Sequence, residues 1–218
     1  MAYDLQEQEQ IDALKAWWRR YGTLVVVAAV VSVVAVAAFE GWRYYRERQA
    51  LAAVTLYGEL DRAEQAGDAK KVRELAAEIV SRYGSTPYAT FAALAAARTS
   101  FDAGDLEEAK ARLRWVIERA REDEVRAIAR IRLAGVLLDE KGYGEALQVL
   151  GEKPPEALVA LHADRRGDIL AAQGKKEEAR AAYRLALDRS DAGSEFRETV
   201  RLKLEALGEP ERGEGPPK

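Results

Sequence analysis

The stretch DRRGDILAAQGKKEEARAAY, Asp164–Tyr183, decides the fold. It reads as two helices joined at Gly174, with apolar and polar residues recurring at the helical period on either side of the turn. A small residue early in the second helix, Ala179, lets that helix approach the first closely. The large residue four positions on, Tyr183, is placed to pack against the neighbouring unit. Outward from this stretch the pattern recurs. AGDLEEAKARL ends at Leu113 and EKGYGEALQVL ends at Leu150, and their alanines Ala109 and Ala146 precede Ala179 by steps of 37 and 33 residues. A weaker unit, AGDAKKVRELA, starts at Ala66 and carries Val72 where the alanine belongs.

A period near 34 residues, two antiparallel helices to the unit, is that of the tetratricopeptide repeat. Gly167, Ala179, Tyr183 and Ala186 occupy its signature positions in the third unit, and the other units are degenerate. The final helix, near Glu195–Leu207, shows Phe196, Val200, Leu204 and Leu207 on one face, as a cap on the last repeat requires. Prolines at 87, 154, 155, 210, 216 and 217 and glycines at 67, 84, 104, 142, 174 and 193 fall between the helices. No segment after Arg48 reads as a strand. Residues 50–207 are therefore expected to form an α-helical repeat solenoid, and residues 208–218, rich in glycine, proline and charge, a disordered tail.

The repeats do not explain the other end. Residues 21–39 contain no charge and run TLVVVAAVVSVVAVAAF from Thr23. At about 1.5 Å per residue they reach roughly 28 Å, the thickness of a bilayer core. Trp17, Trp18 and Tyr21 precede the span, and Trp42, Tyr44 and Tyr45 follow it, as interfacial aromatics do. The fold class is thus all-α, an N-terminal single transmembrane helix ahead of a tetratricopeptide-like solenoid. Residues 40–49 form an aromatic and basic juxtamembrane segment. Residues 1–20 are a tail in which Ile11, Leu14, Trp18 and Tyr21 share a helix face, with a bend admitted at Gly22. A cleaved signal peptide is the competing reading, since Ala35-Val36-Ala37 resembles a cleavage site. The acidic leader, with Asp4, Glu7, Glu9 and Asp12, and the length of the run oppose it. Orientation is a tie by charge, because Lys15, Arg19 and Arg20 balance Arg43, Arg46 and Arg48.

Composition narrows the chemistry. The 218 residues include no cysteine and one histidine, so disulfides, cysteine–zinc sites and thiol catalysis are excluded. Lys and Arg, 34 together, are outnumbered by 37 Asp and Glu, which argues against nucleic acid as a partner. His162 has no second histidine to form a metal or catalytic set, and no Walker loop, GxSxG, HExxH or dinucleotide fingerprint occurs. The chain reads as a non-enzyme with no cofactor and no metal. Its expected work is binding, on the concave surface of the first helices of successive repeats. Phe91, Leu94, Arg98 and Phe101 fall on that surface in the first unit, and Ile128, Ile131 and Leu138 in the second. These apolar groups either receive a client segment or are covered by neighbouring helices.

The leader EQEQIDALKAWWRRYG, Glu7–Gly22, the element GWRYY at Gly41–Tyr45, the degenerate repeats, Asp164–Tyr183 and the last helix VRLKLEAL together resemble the ancillary SecYEG translocon subunit (YfgM-like) family. The resemblance implies a single-pass bacterial inner-membrane protein with a cytoplasmic N-terminal tail and a periplasmic repeat domain. It implies as partners the SecYEG translocon, a membrane-anchored periplasmic chaperone of prolyl-isomerase-like type, exported client proteins and the lipid bilayer. It also implies a role in handing newly exported proteins to periplasmic chaperones, with no catalytic residues to carry over. A membrane-tethered scaffold for another envelope complex or a signalling regulator would have the same architecture.

Overall fold

The computed structural model describes residues 2–151 and 153–208, with side chains from Gln10 onward except that of Ala13. The tail expected to be disordered lies outside the described residues, apart from Gly208. Nine α-helices are described: α1 (Ala2–Gln65), α2 (Ala69–Tyr83), α3 (Pro87–Asp102), α4 (Leu106–Arg119), α5 (Asp123–Asp139), α6 (Tyr143–Leu150), α7 (Val159–Ala172), α8 (Lys176–Asp188) and α9 (Glu195–Ala206), with one 3-10 turn at Glu156–Leu158. No strand occurs among the described residues. The chain divides into two units, Met1–Leu51 and Ala52–Lys218.

The first unit is helical throughout its described length, Gly22 included. The helix continues through the glycine without a break. The Trp18 indole occupies the space beside it, and a Cβ at Gly22 would stand 3.0 Å from that ring. Ser32 satisfies its hydroxyl by donating to the Ala28 carbonyl at 2.8 Å, one turn back, so the apolar run presents no orphaned polar group there.

In the second unit local chemistry marks several helix starts and turns. Asp68 and Asp105 accept from the backbone N–H groups of Lys71 (3.0 Å) and Glu108 (3.2 Å), capping α2 and α4. Ser194 does the same for α9 through Arg197, at 3.2 Å. Pro87 opens α3 with the φ that a first turn requires. Gly67, Gly104 and Gly174 stand at φ near +70 to +80° in three equivalent turns. In the fourth such turn the left-handed position falls on Lys141 (φ 62°), one residue ahead of Gly142.

Small residues then set the spacing between helices. Ala89, Ala92, Ala93 and Ala96 of α3 are fully or almost fully buried against α2 and α4, and backbones approach closely there. Leu133 and Ile169 are at most 1% exposed and belong to a core that joins α3, α4, α5, α6 and α7. Burying a side chain of this size stabilises the fold by roughly 1.5–3 kcal/mol. A second core lies under α1 to α3 around Leu60, Val72 and Ile79, and a third joins α7, α8 and α9 around Leu170, Tyr183 and Val200. From α2 onward, helices adjacent in sequence pack on one another, and α7 also contacts α5, as stacked helical hairpins do.

Candidate protein-binding groove and membrane-interface residues

The seven candidate residues sit on two neighbouring repeats, on α3 and α5. On α3, Phe91, Leu94, Arg98 and Phe101 recur at three- and four-residue steps, so they form one line along the helix. Phe91 and Phe101 are 42% and 39% exposed, far more than core aromatics would be, and Arg98 is exposed beside them. Leu94, Ile131 and Leu138 are half-buried against the core around Leu133, and Ile128 is half-buried too. The surface is therefore graded, with two open rings over a floor of aliphatic side chains shared with the core.

Two aromatic residues that the repeat pattern did not single out extend it. Tyr57 of α1 lies 5.9 Å from the Tyr88 ring and 6.3 Å from the Phe91 ring, all tilted. Burial, then the charges of Glu64 and Asp61, raise the Tyr57 phenol above its usual range. Its helical spacing ahead of the Gly67 turn was the available signal. On α5, Arg132 makes no hydrogen bond or ion pair among the described residues. Burial, then the like charge of Arg98, lowers its guanidinium. Arg98 itself reaches Asp102 at 3.8 Å.

The last repeat holds its polar groups in a different way. Lys203 of α9 reaches Asp164 (2.7 Å) and Asp168 (2.8 Å) of α7, and the Tyr183 hydroxyl donates to Asp168 at 2.9 Å. Burial raises the Asp164 carboxyl, and the hydrogen bond from Lys203 opposes the rise. These contacts dock a helix. His162 is buried, and its Nε2–H donates to the Gly151 carbonyl at 3.0 Å, which makes it a loop tether. Among the described residues no three His, Asp or Glu side chains gather as a metal site would require.

The aromatic residues flanking the apolar span, Trp17, Trp18, Tyr21, Trp42, Tyr44 and Tyr45, are all exposed. Trp17 packs near Trp18 (6.3 Å) and Tyr21 (5.8 Å). Beyond the span Arg46 stands over the Trp42 ring at 4.8 Å and Arg48 over Tyr44 at 5.0 Å. The most apolar stretch of α1 has a mean hydropathy of 2.6 and is 6% buried, so α1 is long and apolar enough to cross a membrane.

A tetratricopeptide repeat-like domain family matches residues 15–209, which include the apolar span and every helix of the second unit. The ancillary SecYEG translocon subunit of Neisseria gonorrhoeae is 31% identical over 212 residues, covering 95% of this chain and all of the relative. The chain belongs to the ancillary SecYEG translocon subunit family. Proteins of the same name from Haemophilus influenzae and Escherichia coli are each 28% identical, over 95% and 92% of this chain and 100% and 96% of theirs. As a family member the chain is all-α, with a tetratricopeptide-like domain and one N-terminal helix of membrane-crossing length, as the leader, the span and the Asp164–Tyr183 repeat imply.

Proposed function

We propose that this chain is a single-pass subunit of the bacterial inner membrane that associates with the SecYEG translocon. Its N-terminus lies in the cytoplasm and its repeat domain in the periplasm. There it helps hand newly exported proteins to periplasmic chaperones, including a membrane-anchored chaperone of prolyl-isomerase-like type. The observation that carries this reading is the end-to-end match, span and repeats together, with relatives named as translocon subunits. Trp17, Trp18 and Tyr21 would mark one membrane interface and Trp42, Tyr44 and Tyr45 the other. Tyr21 and Trp42 are separated by about 32 Å of helix at 1.5 Å per residue. Phe91, Leu94, Arg98, Phe101, Ile128, Ile131 and Leu138 form the client-binding surface, which acts by binding and not by catalysis.

Crosslinking followed by pull-down of the full chain from detergent-solubilised membranes tests the association. Recovery of SecYEG and the chaperone is expected, and recovery of another envelope complex without them would overturn it. Orientation has a direct test because the chain lacks cysteine. In spheroplasts a membrane-impermeant maleimide should label Ala192→Cys and should reach Ala16→Cys only after lysis. The reverse pattern sinks the orientation.

A further inference from the structure

The second helix of the second repeat is cut short. α4 has 14 residues and α8 has 13, but α6 stops after eight. Gly151 ends it at φ +73°, and Pro154 and Pro155 prevent the chain from resuming the helix. His162 then holds the Gly151 carbonyl. Lys153, Pro154 and Glu156 form one wall of a cleft of about 550 Å³ over α7 and α8. Ala163, Leu170 and Ala182 line its base, and Leu185, 43% exposed, stands at its side. At the rim Lys153 and Arg166 have no ion-pair partner among the described residues. Arg189 is paired with Glu156, and Glu178 lines the cleft without an ion-pair partner among the described residues.

The same pair of helices already accepts a helix on its other side. His162, Arg166 and Leu170 face the cleft, and Asp164 and Asp168, which bind Lys203, lie about half a turn away around α7. On α8, Ala181, Ala182 and Leu185 line the cleft, and Tyr183 and Leu187 face the core shared with α9. There α9 docks with Val200 buried, Phe196 and Leu204 packed around it, and its cation on two carboxylates. The cleft offers apolar sides at Val159, Ala181 and Leu185 over a buried floor, with three cations against two anions in its lining.

We propose that the cleft between α7 and α8 docks a short amphipathic helix of another polypeptide, whose apolar stripe covers Val159, Ala181 and Leu185 above the buried floor and whose carboxylates meet Lys153 and Arg166. The site is separate from the client-binding surface on α3 and α5, and it does not depend on the translocon association.

The test uses the full chain in nanodiscs and a fluorescein-labelled, lactam-stabilised helical peptide of 14 residues as probe. The peptide carries leucines at successive three- and four-residue steps and glutamates flanking them. Fluorescence anisotropy should show saturable binding, weakened by about tenfold or more by Leu185→Glu, a substitution at an exposed position that leaves helicity unchanged. Arg166→Glu should weaken binding by about threefold to tenfold and restore it to a lysine-flanked peptide. Phe101→Arg should have no effect. Equal binding of a peptide with its leucines scrambled around the helix, or binding indifferent to Leu185→Glu, overturns the site. Concentration-dependent dimerisation abolished by Leu185→Glu would assign the cleft to a second copy of this chain and also overturn the proposal. SecYEG recovery with the Leu185→Glu chain is scored separately, so failure of the peptide with recovery intact rejects the cleft alone.

Discussion

The Tyr183 ring fills the space that a side chain on Gly167 would need: a Cβ built there would stand 2.5 Å from Cε1 and 2.6 Å from Cδ1 of the ring. Both are signature positions of the repeat, and the contact shows why they occur together, since a glycine on α7 lets an aromatic residue of α8 approach its backbone closely.

Gly167→Ala is therefore expected to destabilise the domain by about 1–2 kcal/mol, with overpacking of about 1–3 kcal/mol partly offset by up to about 1 kcal/mol of helix propensity. Gly144→Ala is the control, because a Cβ on this helical glycine meets nothing within 4 Å. It should stabilise by about 0.5–1 kcal/mol in denaturant unfolding. Equal effects at the two positions would refute the packing argument.

Lys203→Met removes the cation shared by Asp164 and Asp168. Because the lysine side chain is 31% exposed, the expected loss at pH 7 is about 1–2 kcal/mol, below the roughly 3–5 kcal/mol of a fully buried pair. Burial already raises the Asp164 carboxyl, and losing Lys203 raises it further. An acid raised in the folded state costs stability when ionised, so the deficit should shrink as pH falls towards about 4. A deficit that grows on acidification would refute this account.

The sole histidine gives a pH readout with the opposite slope. Burial lowers His162, the backbone carbonyls of Gly151 and Leu150 oppose this, and Arg166 adds to the lowering. The stability gained from the neutral, buried ring is present above about 6.5 and is lost as pH falls from there through the folded value. One imidazole resonance should titrate with its midpoint below 6.5 by NMR, and His162→Gln should flatten the stability profile between pH 7 and 5. A midpoint at or above 6.5 would falsify the assignment.

Phe101→Arg tests the concave groove. The ring is 39% exposed, so the expected cost in stability is below about 1 kcal/mol, and client binding should be lost. Unchanged binding with a large loss of stability would show that the ring belongs to the core.

The sequence made the helical period, the hairpin turns and the apolar span legible because each depends on neighbours a few residues apart. Gly67, Gly104 and Gly174 stand in left-handed turns where their spacing puts them, but the equivalent position in the Gly142 turn falls on Lys141. A one-residue shift of this kind cannot be seen in a degenerate repeat. Lys203 and Asp164 are 39 residues apart, and Lys110 and Glu140 are 30 apart with two short hydrogen bonds between them. No spacing rule announces such pairs, since only the stacking of hairpins brings them together. The line of candidate residues along α3 was legible from its three- and four-residue steps. How deeply each residue sinks was not, because Leu94 and Ile131 owe their partial burial to neighbouring helices.

The docking of α9 has a consequence for the order of events during synthesis. This helix closes the third core through Val200, and Arg180 donates to the Leu207 carbonyl at its end. Ribosomes deliver a chain from its N-terminus, so α9 is made after α7 and α8. Until then the apolar groups of α7 and α8 that pack on it have no cover, and the two carboxylates awaiting Lys203 have no cation. Closure of the third core thus waits for α9, and a product that stops before it would carry an open apolar face on α7 and α8.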